Sequence, residues 1–176
     1  MSKRNIPKVL FSEFQKNIKT GDIFAWGDKG LISTAIRFAT RSSISHVGIF
    51  VWLEGMLFVC DATYKHKVSY HYAEPYFKNY LENGGGKIYW GRPRNQFYSE
   101  DEIKQRIKPT LGKSYDSWNS PRSFIFRSKK DDRYYCSEWE ADISGTDEFY
   151  LLSKRGILPL DTVNKCENQI RQLIFS

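Results

Sequence analysis

Hydrophobic and polar positions divide the chain into short elements separated by polar turns. Helical spacing of apolar residues over 9–18 predicts an N-terminal helix that ends before a Thr-Gly pair. Short apolar runs predict five strands, at residues 23–26, 46–52, 56–62, 68–71 and 87–90. Helical spacing or a capping residue predicts four further helices, at residues 31–40, 74–81, 99–108 and 136–145, and residues 170–175 fit either a strand or a helix. We therefore expect one α+β domain over residues 1–176, with an antiparallel sheet packed against helices.

A Glu-Gly pair joins two of these strands and predicts a two-residue hairpin turn. The resulting register places Gly48 opposite Asp61, so that Asp61 lies diagonally across from His46 on the same face of the sheet. Gly48 leaves the space between these two side chains open. A slip of one residue would bring Cys60 to that face instead. Because two-residue loops are the commonest hairpins, we expect the register that brings His46 and Asp61 together.

Cys136 precedes a segment with acidic residues in its first turn and apolar spacing after it, which predicts that Cys136 opens a helix. A thiol at a helix N-terminus meets the positive end of the helix dipole, which favours the thiolate. The amides there can also bind an oxyanion when the thiolate attacks a carbonyl. A cysteine, a histidine or an aspartate at such a position, taken alone, more often has a structural role than a catalytic one. Together, Cys136, His46 and Asp61 supply a nucleophile, a proton acceptor and a carboxylate that can orient the acceptor.

Composition and charge indicate the cellular location and the partners of the protein. The longest strongly apolar run, residues 47–53, is far shorter than the about 20 residues of a membrane span, and the basic N-terminus lacks the apolar stretch of a signal peptide. Three cysteines cannot all pair with one another, so we expect reduced thiols and a cytoplasmic protein, with delivery by another system left open. The net charge of +7 predicts attraction to an anionic polymer, a membrane surface or nucleic acid.

Four segments resemble the motifs of one family. They are residues 20–23 (Thr-Gly-Asp-Ile), 45–49 (Ser-His-Val-Gly-Ile), 111–116 (Leu-Gly-Lys-Ser-Tyr-Asp) and 134–138 (Tyr-Tyr-Cys-Ser-Glu). The family is that of the circularly permuted papain-like hydrolases of the NlpC superfamily, in particular its YiiX/YaeF-like group. The resemblance covers residues 20–143, and the order and spacing of the motifs are more specific than any one of them. It implies a permuted papain-like fold with the nucleophile at a helix N-terminus.

The resemblance also implies roles for the candidate residues. Cys136 would be the nucleophile, His46 the general base and Asp61 the orienting residue, at a position where relatives often carry Glu. Thr63 or a backbone carbonyl is the alternative partner of His46. Three further candidates for oxyanion or substrate binding are Ser137, Tyr135 and Tyr115. The implied chemistry is that of an amidase, peptidase or acyltransferase acting on a peptide, amide or ester. Cell-wall peptides are among the candidate substrates. The resemblance implies no cofactor and leaves the oligomeric state open.

Other patterns admit different interpretations. Basic residues interleaved with aromatic ones, at 122–133 and 87–97, resemble nucleic-acid surfaces, although a solvated loop and core packing are the more ordinary interpretations. The alternative function is therefore a catalytically idle nucleic-acid- or envelope-binding module on the same scaffold. His66 and His71 lack companion ligands, so no metal site is expected. The glycine run at 84–86 lacks the Gly-Lys-Ser/Thr sequence of a phosphate loop.

Overall fold

One seven-stranded sheet organises the fold. The computed structural model describes residues 6–27, 33–34, 37–38, 43–63, 65–93, 98–114, 136–145, 166 and 170–175. The strands are β1 (Lys8–Leu10), β2 (Ile23–Trp26), β3 (His46–Leu53), β4 (Met56–Thr63), β5 (Lys67–Tyr72), β6 (Ile88–Gly91) and β7 (Ile170–Ile174). Their order across the sheet is β1-β7-β6-β2-β3-β4-β5. Neighbouring strands are antiparallel, except that β1 and β7 are parallel.

Four α-helices accompany the sheet in the described part of the chain. They are α1 (Phe11–Phe14), α2 (Ala73–Glu82), α3 (Glu100–Ile107) and α4 (Cys136–Ser144). Single 3-10 turns follow α1 and α3. A capping box starts α3, because Ser99 and Glu102 each accept a hydrogen bond from the other's backbone amide. No helix among the described residues has the length and apolar content needed to cross a membrane.

The two faces of the sheet carry separate apolar cores. On one face, Phe77 of α2 packs edge-on against the rings of Phe24 and Phe50. On the other face, Ile103 of α3 and Trp139 of α4 are buried against the middle of β3 and β4. The sheet is therefore covered by helices on both sides, and each face can hold a different set of side chains.

The β3–β4 hairpin has the predicted two-residue turn. Glu54 and Gly55 have φ angles of 50° and 77°, and positive φ at both positions is typical of a type I′ turn. The strands pair inward from this turn without a slip, so that Cys60 lies opposite Ile49. The predicted register is confirmed, and the side chain of Cys60 points to the face opposite that of Asp61.

The predicted helix over residues 9–18 is confirmed only in its middle, where a 3-10 turn at Gln15–Asn17 follows a single α-helical turn. Val9 and Leu10 belong to β1 and pair with β7, and only Phe11–Phe14 are α-helical. A few apolar residues at short range fit an edge strand as well as a helix, and the partner strand lies near the other end of the chain. This pairing makes residues 170–175 a strand and the sheet mixed instead of wholly antiparallel. The predicted helix at 31–40 falls largely outside the described residues, and the basic segment at 122–133 falls wholly outside them.

Candidate active site

His46 and Asp61 form a short, buried hydrogen bond. His46 is the first residue of β3, and Asp61 lies near the end of β4, which places both at one end of the sheet. The distance from His46 Nε2 to Asp61 Oδ2 is 2.6 Å. Asp61 is fully buried, and the side chain of His46 is 11% exposed. Because a carboxylate oxygen only accepts hydrogen bonds, Nε2 donates, and Nδ1 is left as the nitrogen that can take a proton from a thiol.

Gly48 makes the approach of these two side chains possible. A β-carbon at position 48 would lie 2.7 Å from the β-carbon of Asp61 and 2.5 Å from Cζ of Phe24. Both distances are well below the roughly 3.5–4.0 Å of an ordinary carbon–carbon contact. Glycine at this position therefore opens the space that the sequence predicts between His46 and Asp61.

Trp26 holds the imidazole ring from the neighbouring strand. Trp26 is the cross-strand partner of His46, and the two rings are stacked with their centroids 4.8 Å apart. The ring of Tyr80 from α2 also stacks on Trp26, with the centroids 4.5 Å apart. The electron-rich face of an indole favours a neighbouring cation. The contact with Trp26 therefore limits rotation of His46 and favours its protonated form.

Cys136 reaches the same end of the sheet from the other face. It is the first residue of α4, it is buried, and it packs with Ala25 and Val47. Its Sγ lies 4.0 Å from the backbone oxygen of Ser45, the residue before His46. Since His46 opens β3 and Cys136 opens α4, the two side chains lie where both elements begin, close enough for the charge of Cys136 to act on His46.

The surroundings of His46 favour the imidazolium. Burial alone lowers the pKa of His46, but the charge of Cys136 and hydrogen bonds to Asp61 and Cys136 act in the opposite direction and raise it to about 10. The sign of this shift means that the ring keeps its proton throughout the neutral pH range. The arrangement can therefore hold a thiolate beside an imidazolium, which is the reactive form of a cysteine nucleophile.

Tyr76 is a member of the site that no sequence pattern indicates. Its hydroxyl, on α2, donates a hydrogen bond of 2.8 Å to Asp61 Oδ2, the same oxygen that His46 uses. Its ring stacks on His71 with centroids 4.5 Å apart and planes 8° from parallel. Ser69 Oγ lies 2.9 Å from Nε2 of His71 and so fixes that ring in turn. Trp26 could have been found by extending the strand register to β2, whereas Tyr76 depends on how α2 crosses the sheet.

The remaining predicted residues have mixed outcomes. Ser137, the second residue of α4, is fully buried next to the thiol, and its part in oxyanion binding stays a prediction. Tyr135 and Tyr115 lie outside the described residues. Cys60 and Cys166 are both buried free thiols, and burial together with the charge of Asp61 raises the pKa of Cys60 well above its usual value.

Two residues of the predicted basic-aromatic surface at 87–97 bind a buried carboxylate. The carboxylate of Asp22 accepts hydrogen bonds from Arg92 Nε and Nη2, both 2.8 Å, and from Trp90 Nε1 at 2.9 Å. Asp22 is fully buried and Trp90 nearly so. Arg92 and Trp90 therefore join β6 to the start of β2, and nucleic-acid binding by this segment stays a prediction.

Comparisons with known proteins identify the fold. The crystal structure of the metalloprotein yiiX from Escherichia coli O157:H7 is similar, with a TM-score of 0.63 and 23% sequence identity over 89% of this chain and 97% of that chain. No protein-family model and no curated protein sequence matches. The likeness agrees with the group that the sequence motifs resemble, and it shows an α+β fold. The circular permutation stays a prediction.

Proposed function

We propose that the protein is a cysteine-nucleophile hydrolase in which Cys136, His46 and Asp61 form the catalytic site. One observation carries the proposal: a buried imidazole that donates from Nε2 to Asp61 at 2.6 Å lies close enough to Cys136, at the start of a helix, for the charge of Cys136 to raise its pKa. A nucleophile, a base and a group that orients the base are the three parts that this chemistry requires.

The reaction proceeds in two acyl-transfer steps. His46 takes the thiol proton at Nδ1, and the thiolate of Cys136 attacks the carbonyl carbon of an amide or ester. The imidazolium then gives this proton to the leaving amine or alcohol, and an acyl-thioester remains on Cys136. Water, deprotonated by His46, attacks the thioester, releasing a carboxylic acid and restoring the thiol. Asp61 keeps the imidazole in the tautomer that both steps need.

The charge of the protein indicates where its substrate is presented. A net charge of +7 favours substrates attached to an anionic polymer or presented at an anionic surface, and cell-wall peptides fit that description. Transfer of the acyl group to an acceptor other than water uses the same thioester.

A metal-dependent reaction receives no support from the described residues. The similar protein yiiX is named as a metalloprotein. Within the described part of this chain, no three His, Cys, Asp or Glu side chains are grouped so that they could hold a metal ion. The ring centroids of His66 and His71 are 5.3 Å apart, but a zinc site needs more ligands than two histidines.

Site-resolved alkylation tests the proposal. Iodoacetamide labelling between about pH 5 and 9, followed by mass spectrometry, would compare the wild type with His46→Ala and Asp61→Ala. We expect Cys136 to react fast at the acidic end of this range and to lose that advantage in His46→Ala. Cys60 and Cys166 are buried and serve as internal controls.

A second outcome of this experiment would favour the alternative function. If Cys136 reacts no faster than Cys60 and ignores the loss of His46, the hydrolase proposal fails. Binding of an anionic polymer that persists in Cys136→Ala and weakens with salt would then support a catalytically idle binding module.

A further inference from the structure

The carboxylate of Asp61 depends on very few hydrogen bonds. Its Oδ1 is buried and has no hydrogen-bond partner within the described part of the chain. All the described side-chain donors therefore act on Oδ2, which receives the imidazole N–H of His46 at 2.6 Å and the hydroxyl of Tyr76 at 2.8 Å. Burying a carboxylate is costly unless hydrogen-bond donors such as these satisfy it.

We propose that Tyr76 is a positioning residue that acts on His46 through Asp61, and this inference rests on the proposed hydrolase function. The hydroxyl of Tyr76 stabilises the ionised carboxylate and fixes Oδ2 in front of Nε2. The proton of the His46–Asp61 bond then stays on the imidazole, and Nδ1 remains available to Cys136. Without Tyr76, the buried carboxylate would have His46 as its one described side-chain donor, and it would compete for that proton.

The position of Tyr76 is itself fixed by a chain of contacts from β5. Its ring lies almost parallel to that of His71, and His71 is held by Ser69 on the same strand. Burial keeps the pKa of His71 below its usual value, so this ring is neutral at neutral pH and supports Tyr76 by packing. A phenol with a freely rotating ring could not hold the carboxylate in one orientation.

The groups that face Asp61 come from three elements. His46 approaches from β3, Tyr76 from α2, and His71 from β5, close enough for the charge of Asp61 to act on the pKa of His71. Cys60, the preceding residue on β4, interacts with the same charge. Of the residues next to Asp61, Tyr76 is the one whose hydroxyl can be removed while its ring, its stack and its helix are kept.

The test compares Tyr76→Phe with Tyr80→Phe. Tyr80 lies one turn further along α2, and its hydroxyl bonds the backbone at Gly27 and Gly86, away from Asp61. Both changes remove one hydroxyl from the same helix, so a loss of stability alone should affect them similarly. The first readout is the rate of Cys136 alkylation at neutral pH. We expect a fall of about tenfold in Tyr76→Phe, the size that one hydrogen bond to a charged group commonly carries, and little change in Tyr80→Phe.

The second readout does not need the thiol. In a Cys136→Ala background, proton NMR follows the Nε2 proton of His46 and its exchange with water. We expect Tyr76→Phe to move this resonance and to speed its exchange, and Tyr80→Phe to leave both unchanged. In an Asp61→Asn background, Tyr76→Phe should have no further effect on alkylation, because the carboxylate through which it acts is gone.

The two readouts separate the two proposals. If wild-type Cys136 reacts without regard to His46, the hydrolase proposal fails, and the Nε2 resonance alone decides whether Tyr76 acts on His46. If wild-type Cys136 depends on His46 but Tyr76→Phe behaves like Tyr80→Phe in alkylation, the hydrolase proposal stands and the role of Tyr76 is overturned. An unchanged Nε2 resonance overturns that role in either case.

Discussion

Gly48→Ala is the sharpest test of how the hairpin builds the site. The added methyl group would lie 2.5 Å and 2.6 Å from two ring carbons of Phe24 and 2.7 Å from the β-carbon of Asp61. Each contact is about 1 Å too short. The ring of Phe24 cannot retreat, since it is fully buried and in contact with the rings of Trp26 and Phe77. Asp61 must therefore move, and with it the strand.

The size of the effect follows from these distances. Overpacking of this kind costs about 1–3 kcal/mol of folding free energy. For a protein of this length, that corresponds to a fall of roughly 2–12 °C in melting temperature. A displacement of about 1 Å would also stretch the 2.6 Å bond between His46 and Asp61 beyond hydrogen-bonding distance. A misplacement of that size can lower reactivity by about a hundredfold.

Thermal unfolding by circular dichroism and alkylation of Cys136 measure the two effects on the same variant. Gly86→Ala is the matched control, because the nearest atom to its new methyl group would be 3.5 Å away, an ordinary contact. We expect the control to keep the wild-type melting temperature and reactivity. If Gly48→Ala does the same, the close approach of β3 and β4 around Asp61 is not what holds the site together, and the reasoning fails.

Two further predictions concern the charges of the molecule. NMR titration should give His46 a pKa of about 10. This pKa should fall in Cys136→Ala, because the charge of Cys136 is the largest contribution that raises it. A wild-type pKa near 6.5 would contradict this prediction. Urea denaturation of Arg92→Met should show a loss of about 3 kcal/mol, because Asp22 stays buried without its cation, and Asp22→Asn/Arg92→Met should recover part of it. A loss below about 1 kcal/mol would mean that water or another group compensates Asp22.

The contact between His46 and Asp61 could be predicted from sequence because it depends only on the number of residues in the turn of one hairpin. A two-residue turn at Glu54 and Gly55 fixes which side chains share a face for the whole length of the hairpin. The turn type is encoded by those two residues, and the pairing that follows needs no information from elsewhere in the chain. Helix α4 was predictable for a similar reason, since the acidic first turn after Cys136 is also a local signal.

The contacts that could not be predicted join elements that are distant in sequence. Val9 pairs with Leu173 of β7, and its own neighbours fit a helix equally well. Tyr76 reaches Asp61 because α2 crosses the face of β4, and the crossing angle depends on the packing of Phe77 among the other rings. Periodicity indicates which side of a helix is buried, but it does not indicate which side chain meets which strand.

The geometry also explains why the order of the three proposed catalytic residues along the chain would not matter to the proposed chemistry. His46 is the first residue of β3, Cys136 is the first residue of α4, and Asp61 lies near the end of β4. The site is therefore assembled from the ends of three elements, at one end of the sheet. Any chain order that brings those ends together gives the same contacts. Position within each element is what cannot change. One extra helical residue before Cys136 would turn the thiol by about 100° around the axis of α4, away from Ala25, Val47 and the start of β3.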